Sequence, residues 1–566
     1  MYKIIKLFKI TTNLLFVINF IFFSTLNAKT IDKYNEAKFI SDYFSGILLL
    51  NSSKYEESHK FLKKLNGLEN SHLNYSSKYL SSLINSGNFK LAFNYSNKLG
   101  KYKLDSFESY LIKGIYYLKS SDLDKAKNYF LKAKNKSSGL LLNDYISGVL
   151  YIWSNLNDLD YEKAKINLDK LDNQFQNLKK IQNIFLSCYY NTHNAETSFE
   201  DLLNNDKTDF SRYNYFYANY LWNKGKKIKS KNIIKNSLAK NPRNLLLNQA
   251  NIDFNSSKNK TKFNCKKIEH VAAEILYITA NALSSQGVYS ISNFYLNLAK
   301  YLNKDFKSFD ILLAENFFKI SDLPNAKKTY NNLSEHGEIF RWYAKKKIAN
   351  ILVIQGDTNS SIKLISKAYN NIQNKGLYET FEYAEFLKNN EEFKKSIEYY
   401  SKILKLINKE HPLFPEIKDG RGVAYERIGE WGSAEKDLLS SLESRPNQAY
   451  VINYLAYSWI EKGIKIEKSL KMLEKANRLK SNDPYIIDSL GWALFKLKRF
   501  KEAKDYLQKA VKLMPADPIV NDHYGDVLWK NGKKIQARYY WNYVLNLEKT
   551  KSELKEQVKQ KLVKGL

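Results

Sequence analysis

The sequence predicts an all-α solenoid, a stack of helix-turn-helix repeats, and three observations carry that prediction. A small residue returns at a nearly fixed interval, as Ala280, Ala314, Ala349, Ala384, Gly422, Ala456, Gly491 and Gly525, in steps of 34 to 38 residues. The chain has 566 residues, too many for one compact core, yet only 8 prolines and 21 glycines to punctuate it. Around the marker Gly491, the residues Ile487, Leu490, Gly491 and Leu494 fall at i, i+3, i+4 and i+7, the stripe of a helix with one buried face.

The first element is an export signal. Lys3, Lys6 and Lys9 precede the apolar run "LLFVINFIFF" (Leu14 to Phe23), and "STLNA" ends at Ala28. The apolar run is too short to span a bilayer comfortably. Residues 1–28 are therefore read as a signal peptide cut after Ala28, although Leu26 stands where a small residue is usual. No cysteine lies nearby to take a lipid. Export places the chain in the periplasm, with association with the outer membrane as an extension of that reading, and in an oxidising compartment.

Residues 31–250 repeat more weakly. Gly46, Leu80 and Gly114 keep a step of 34, with Ser58, Ala92 and Ala126 twelve residues after them, and Ala218 with Ser230 and Pro242 reads as a further unit. The register blurs between about 135 and 205 and again between 243 and 269. The polar stretch "NIDFNSSKNKTKFNCKK", residues 251–267, is read as a joint between two solenoid segments. The two cysteines, Cys188 and Cys265, are 77 residues apart. In an oxidising compartment they could bridge, but at that separation in a stack such positions usually lie on different layers, which favours two separate buried thiols and leaves the bridge as the alternative.

Residues 268–547 form the regular array, about eight repeats. Twelve residues after most markers comes a second small residue (Ser292, Ala326, Ser361, Ser396, Ala434, Ala503 and Ala537, with Ser469 one further on). Four residues later comes a large one: Leu296, Tyr330, Ile365, Tyr400, Leu438, Leu473, Leu507 and Trp541. Small residues at both places let two helices approach closely, and the large one fills the space beside them. Pro446 and Pro515 close their repeats. With Leu490-Gly491, Leu494, Ala503, Leu507, Ala510 and Pro515 in place, the unit resembles the tetratricopeptide repeat, from which Lys418 and Asn521 depart where the pattern prefers a large apolar residue.

A narrower similarity rests on "YVINYLAYSWIEKG", "YIIDSLGWALFKLKRFKEA" and "DPIVNDHYGDVLWKNGKKIQARYYW". These runs look like exported tetratricopeptide proteins of Gram-negative, especially alphaproteobacterial, cells. Distant members of that group are outer-membrane lipoproteins that bring cell-wall hydrolases to a carboxyl-terminal processing protease. The resemblance therefore implies a protein partner such as an envelope protease or a cell-wall hydrolase, although the acylated cysteine of those members is missing here.

Stacked hairpins leave one row of first-helix residues facing the concave side, where partners bind. That row is expected to hold Tyr450, Asn453 and Tyr457 in one repeat, Tyr485, Asp488, Trp492 and Phe495 in the next, and Asp522, Asp526 and Trp529 in the third. Trp492 lies well away from the apolar stripe of its helix and is expected to be held out toward a partner. Residues 548–566 read as a capping helix, with Leu554, Val558 and Leu562 stepping by four along a charged segment. Peripheral membrane association of that helix is the competing reading.

The sequence calls for no cofactor, no metal and no small-molecule substrate. Its seven histidines stand singly, and neither a phosphate-binding glycine loop nor a nucleophile elbow is present. The net charge of +32 raises nucleic acid as a partner. That reading is set aside, because the lysines alternate with Asp and Glu along helical faces instead of forming a basic block. The expected function is a non-catalytic scaffold or adaptor in the cell envelope that holds a peptide or helix of a partner. The alternatives are a cell-wall enzyme appended to a helical superhelix and a cytosolic basic repeat protein that binds RNA.

Overall fold

The computed structural model describes residues 33–566 except 71, 138, 205–209, 257–261 and 374. The segment read as a signal peptide lies outside the described residues. The chain divides into two compact units at Gln355/Gly356. The polar stretch 251–267, read as a joint, therefore lies inside the first unit.

Among the described residues the first unit consists of α1 (Lys33–Asn51), α2 (Tyr55–Lys63), α3 (Leu73–Asn85), α4 (Phe89–Lys101), α5 (Phe107–Lys119), α6 (Leu123–Asn135), α7 (Leu141–Ser154), α8 (Tyr161–Asp169), α9 (Gln176–Tyr190), α10 (Ala195–Leu203), α11 (Ser211–Asn223), α12 (Lys227–Lys240), α13 (Leu245–Asn255), α14 (Ile268–Ser285), α15 (Tyr289–Leu302), α16 (Ser308–Lys319), α17 (Leu323–Leu333) and α18 (Glu338–Ile354). The second holds α19 (Thr358–Asn370), α20 (Leu377–Asn389), α21 (Phe393–Leu404), α22 (Phe414–Arg427), α23 (Trp431–Ser444), α24 (Ala449–Glu461), α25 (Ile466–Leu479), α26 (Pro484–Lys496), α27 (Phe500–Leu513), α28 (Pro518–Lys530), α29 (Lys534–Asn546) and α30 (Ser552–Lys564). The protein is an all-α repeat solenoid, built of helix pairs.

Each pair is held where the sequence repeats. The eight large residues from Leu296 to Trp541 are all fully buried, and so are the alanines and serines that flank them. A Cβ added to Gly491 would lie 2.7 Å from Leu507 Cγ and 3.2 Å from the Leu507 backbone nitrogen. At Gly525 it would lie 2.5 Å from Trp541 Cδ1. Where the second small residue is serine, its hydroxyl often donates across the pair to the marker's carbonyl: Ser58 to Gly46 (2.8 Å), Ser230 to Ala218 (2.7 Å) and Ser292 to Ala280 (2.7 Å). Serine is therefore tolerated in this core, since its polar atom has a partner.

Helix starts in the second unit are written locally. Asp483 and Asp517 cap α26 and α28 by accepting from the backbone N–H groups of Tyr485 and Ile486, and of Ile519 and Val520. Pro484 and Pro518 follow at the first helical position, where no N–H is needed. The two departures from the repeat pattern leave both helix starts intact, because each polar side chain is satisfied. Lys418 Nζ donates to Asp437 at 2.6 Å, and Asn521 Nδ2 donates to the Pro515 carbonyl at 2.9 Å.

In the first unit the chain folds back on itself. α14 packs against α5 and α7, and α15 against α3 and α5, so this hairpin lies on the row of first helices of the earlier repeats. Phe89 stacks on Tyr301 with centroids 3.7 Å apart, Lys119 Nζ donates to the Leu302 carbonyl (2.7 Å), and Asn293 Nδ2 donates to the Tyr55 hydroxyl (3.0 Å). Arg212 on α11 grips Glu274 on α14 through two bonds of 2.7 and 2.8 Å, with Glu274 fully buried. The same return overturns the expectation of separate thiols: Cys188 at the end of α9 is bonded to Cys265. Linear spacing placed the two on different layers, but the segment just before α14 brings Cys265 back to α9, and Phe263 beside the bridge is buried against Phe185 and Phe216.

Replacing Gly491 by valine should destabilise the second unit by about 2 kcal/mol, since a branched side chain must force α26 and α27 apart at their closest approach. Thermal denaturation followed by circular dichroism measures this, and an unchanged melting midpoint would refute the close-packing account.

Candidate functional site

The aromatic row predicted for partner binding separates into an exposed rim and a buried network. Tyr450 and Tyr485 are each 55% exposed at the start of α24 and α26, and Ile519, 44% exposed, takes the equivalent place on α28. The Tyr450 hydroxyl donates to Asp483 (2.9 Å) and accepts from Lys480 Nζ (2.9 Å), which also lies over its ring. Asn453 and Tyr457, one turn and two turns on, are half-buried.

Trp492 is not held out. It is 7% exposed, lying between Phe495 (4.7 Å between centroids) and His523 (3.9 Å), both nearly parallel to it. Its indole Nε1 donates to Glu461 at 2.6 Å. A helical wheel describes α26 alone, and the side opposite its apolar stripe is covered by α24 and α28. Phe495 is buried with it, against Phe500.

The carboxylates of the row are likewise taken up by the chain. Asp488, buried, faces His523 Nδ1 at 2.9 Å. Asp522 and Asp526, also buried, both bind Lys561 Nζ of α30 at 2.8 Å, and Asp526 accepts from Trp541 Nε1 at 2.9 Å. Trp529 is half-buried, packing on Trp541 and against the backbone at Gly565. Val558 of α30 is fully buried and Leu554 and Leu562 pack beside it, so α30 lies over the last repeat.

Burial shapes the titration of this cluster. Desolvation works against a charged His523, but the carboxylates of Asp488, Asp522 and Asp526 outweigh it and hold the imidazole above its usual range. Asp526 is pushed up to about 6 by burial and by Asp522, against the pull of Lys561. His523, Glu461 and Lys561 were not identified as site residues from the sequence. "NDHYGD" signals a histidine among carboxylates, whereas Lys561 belongs to an ordinary charged helix and has no such signal.

The inner row continues N-terminally. Glu385 on α20 accepts from the Tyr400 hydroxyl and from Lys388 Nζ (3.0 Å). Glu426 on α22 accepts from the Tyr454 hydroxyl (2.8 Å). Burial, reinforced by Glu385 and Glu416 and opposed by Lys388, raises Asp419 to about 6. Among the described residues no group of three or more His, Cys, Asp or Glu is placed to hold a metal, and no helix is long and apolar enough to cross a membrane.

Residues 319–550 match a family model described as Tetratricopeptide repeat. The TPR repeat-containing protein PA4667 of Pseudomonas aeruginosa is 27% identical over 124 residues, 22% of this chain and 20% of that protein. The chain thus spans about a fifth of the length of this relative. Among solved structures, PilF of Pseudomonas aeruginosa is 19% identical, with 33% of this chain and 86% of that one covered and a TM-score of 0.28. MamA of Desulfovibrio magneticus RS-1 is 17% identical, with 31% and 97% covered and a TM-score of 0.27. YrrB, described as a TPR protein with an unusual peptide-binding site, is 15% identical, with 34% and 97% covered and a TM-score of 0.27.

Trp492→Ala should cost about 3 kcal/mol of stability, as expected for removing a large buried side chain. Acrylamide quenching of a variant that keeps Trp492 as its single tryptophan should be weak, and quenching like that of a free indole would restore the exposed reading. The cluster also sets a pH dependence. The folded pKa of His523 lies above its unfolded value, so its stabilisation is fully present below about 6.5 and lost as pH rises through the folded pKa. The melting midpoint of the second unit should therefore fall from pH 6 to pH 9, and fall less in His523→Gln.

Proposed function

We propose that this protein is an exported, non-catalytic scaffold of the bacterial cell envelope that grips a peptide or helix of a partner protein on the inner row of its second unit. The observation that carries the reading is the ladder of Tyr450, Tyr485 and Ile519, apolar side chains left in solvent at one equivalent position of three successive repeats. Tetratricopeptide repeats are generally interaction scaffolds, and exposed aromatic side chains in register suit a partner that runs across the layers. In the first unit the corresponding row is covered by α14 and α15, which favours the second unit as the place of binding.

The Cys188–Cys265 bridge supports export, since structural disulfides persist in oxidising compartments. It joins the signal pattern of residues 1–28 in favouring the periplasm, with attachment to the outer membrane as the extension of that reading. An envelope protease or a cell-wall hydrolase remains the kind of partner that the resemblance suggests.

Cross-linked capture from the envelope fraction should recover a specific protein with the wild type and lose it with the Tyr450→Ala, Tyr485→Ala double variant, which removes exposed side chains and should fold normally. Equal recovery with both would place the contact elsewhere. Fractionation should find the mature chain in the periplasm or membrane fraction, beginning at Lys29 by N-terminal sequencing. A cytosolic chain with an intact Met1 would end the envelope reading.

A further inference from the structure

The last repeat of the second unit carries an apolar stripe on a helix face that is charged in the two repeats before it. Ile535, Tyr539 and Tyr543 of α29 stand at i, i+4 and i+8 and are 87%, 69% and 38% exposed. The equivalent residues are Lys501, Asp505 and Lys509 on α27, and Glu467, Lys471 and Lys475 on α25, after the one-residue insertion of that repeat. The buried side of α29 is filled by Ala537, Trp541 and Val544, and the stripe lies away from them. Packing asks nothing apolar of these three positions, since charged side chains serve there in the preceding repeats.

The surroundings of the stripe are basic. Between Gly532 and Leu547 the chain carries Lys533, Lys534 and Arg538 and no acid. Among the described residues none of the three is in an ion pair, and Lys534 and Arg538 lie over the Trp529 ring, at 5.3 and 5.0 Å from its centroid. Arg538 Nε donates to the Leu562 carbonyl at 3.3 Å and so joins α29 to the last turn of α30, where Val563 is 79% exposed. Farther along, from Glu548 to Lys564, five lysines besides the Lys561 held by Asp522 and Asp526 stand against three glutamates, of which Glu556 is paired with Lys559.

Exposure and charge together select the occupant. A side chain that is 87% exposed has almost no protein beside it, so Ile535 stands on a projection, with no groove around it to grip a peptide or a helix. A second copy presenting the same face would bring Lys533, Lys534 and Arg538 against their own equivalents, a like-charge contact. An anionic lipid surface meets both conditions, because it yields around a projecting apolar side chain and its headgroups bring the opposite charge. Tyrosine suits that boundary, its ring entering the apolar edge while its hydroxyl stays among the headgroups.

We propose that the outer face of α29, with Ile535 and Tyr539 at its centre, docks the protein on an anionic phospholipid surface, with Lys533, Lys534 and Arg538 facing the headgroups. The inference rests on the membrane extension of the scaffold reading and gives it a contact and a lipid chemistry. Because the stripe is on a second helix and the ladder of Tyr450, Tyr485 and Ile519 is on first helices, lipid and partner do not compete for one surface.

The test is co-sedimentation of the mature chain, residues 29–566, with sucrose-loaded vesicles of phosphatidylcholine containing about 30% phosphatidylglycerol, against vesicles of phosphatidylcholine alone. The anionic vesicles should bind at least tenfold more tightly, and added salt should weaken them. Ile535→Ser with Tyr539→Ser should weaken binding at least fivefold, and Lys533→Gln with Lys534→Gln at least threefold. All four side chains are exposed, so both variants should keep the wild-type melting midpoint, which separates lost binding from lost folding. Lys436→Gln with Lys471→Gln removes two exposed lysines from the positions equivalent to Tyr539 on α23 and α25, and should stay within twofold of wild type. An equal loss in that variant and in the lysine variant of α29 would reduce the effect to net charge and overturn the proposal, as would equal binding of the two vesicles or binding of neither. An acidic amphipathic peptide of Leu-Glu repeats that binds the wild type, and loses the serine variant, while vesicles do not bind would give the face to a protein and overturn the lipid assignment. A dimer seen by sedimentation equilibrium and broken by the serine variant, again without vesicle binding, would give it to a second copy. A chain that captures its partner but binds no vesicle would sink the lipid contact and leave the scaffold standing, whereas Tyr450→Ala with Tyr485→Ala should bind vesicles as the wild type does.

Discussion

The architecture depends on one steric constraint, the close approach of two helices at a small residue. In the repeats marked by Ala280, Ala314, Ala384, Gly422, Ala456, Gly491 and Gly525 the first helix packs on the second, and the large side chain sixteen or seventeen residues after the marker has no solvent exposure. The partners differ widely in shape, from Leu507 to Tyr400 to Trp541, so the volume of the pair is conserved loosely while its closeness is kept strictly. At Gly422, Gly491 and Gly525 a Cβ would come within 3 Å of Leu438, Leu507 and Trp541. Because each pair is closed locally, a repeat can accept a polar residue such as Lys418 at a helix start without losing its place in the stack.

That locality explains what could be read from the sequence. The period, the helix pairs and the turn prolines depend on residues within one repeat, so spacing alone exposes them. Contacts that cross many repeats leave no such trace. Neither the return of α14 and α15 onto α3, α5 and α7 nor the pairing of Cys188 with Cys265 follows from any spacing, and the polar stretch before α14 reads as a joint when its described part is anchored by Phe263 and Cys265. The candidate site was legible to the same extent. The residues named for the row lie on first helices, but exposure was assigned from single-helix geometry, and Asp488, Trp492, Phe495, Asp522 and Asp526 are buried. Tyr450 and Tyr485 sit at helix starts and remain 55% exposed, even though Lys480 and Asp483 hold the Tyr450 hydroxyl, whereas Trp492 lies mid-helix, where the neighbouring layer covers it.

Charge is distributed by the same logic. The lysines that give the chain its net charge of +32 are mostly surface residues, while Glu274, Asp437, Asp488, Asp522 and Asp526 are buried. Each of those five carboxylates has a cation or imidazole against it: Arg212, Arg421 with Lys418, His523, and Lys561 for the last two. Buried acids in this fold are paired, and pairing is what makes their burial tolerable.

The C-terminal end shows how a solenoid terminates such a row. After the repeat of α28 and α29 comes α30, which supplies Lys561 to Asp522 and Asp526 while Val558 closes the apolar face beneath. The cap therefore reproduces both parts of an inter-repeat contact, apolar and ionic, with a helix that is not part of a repeat pair.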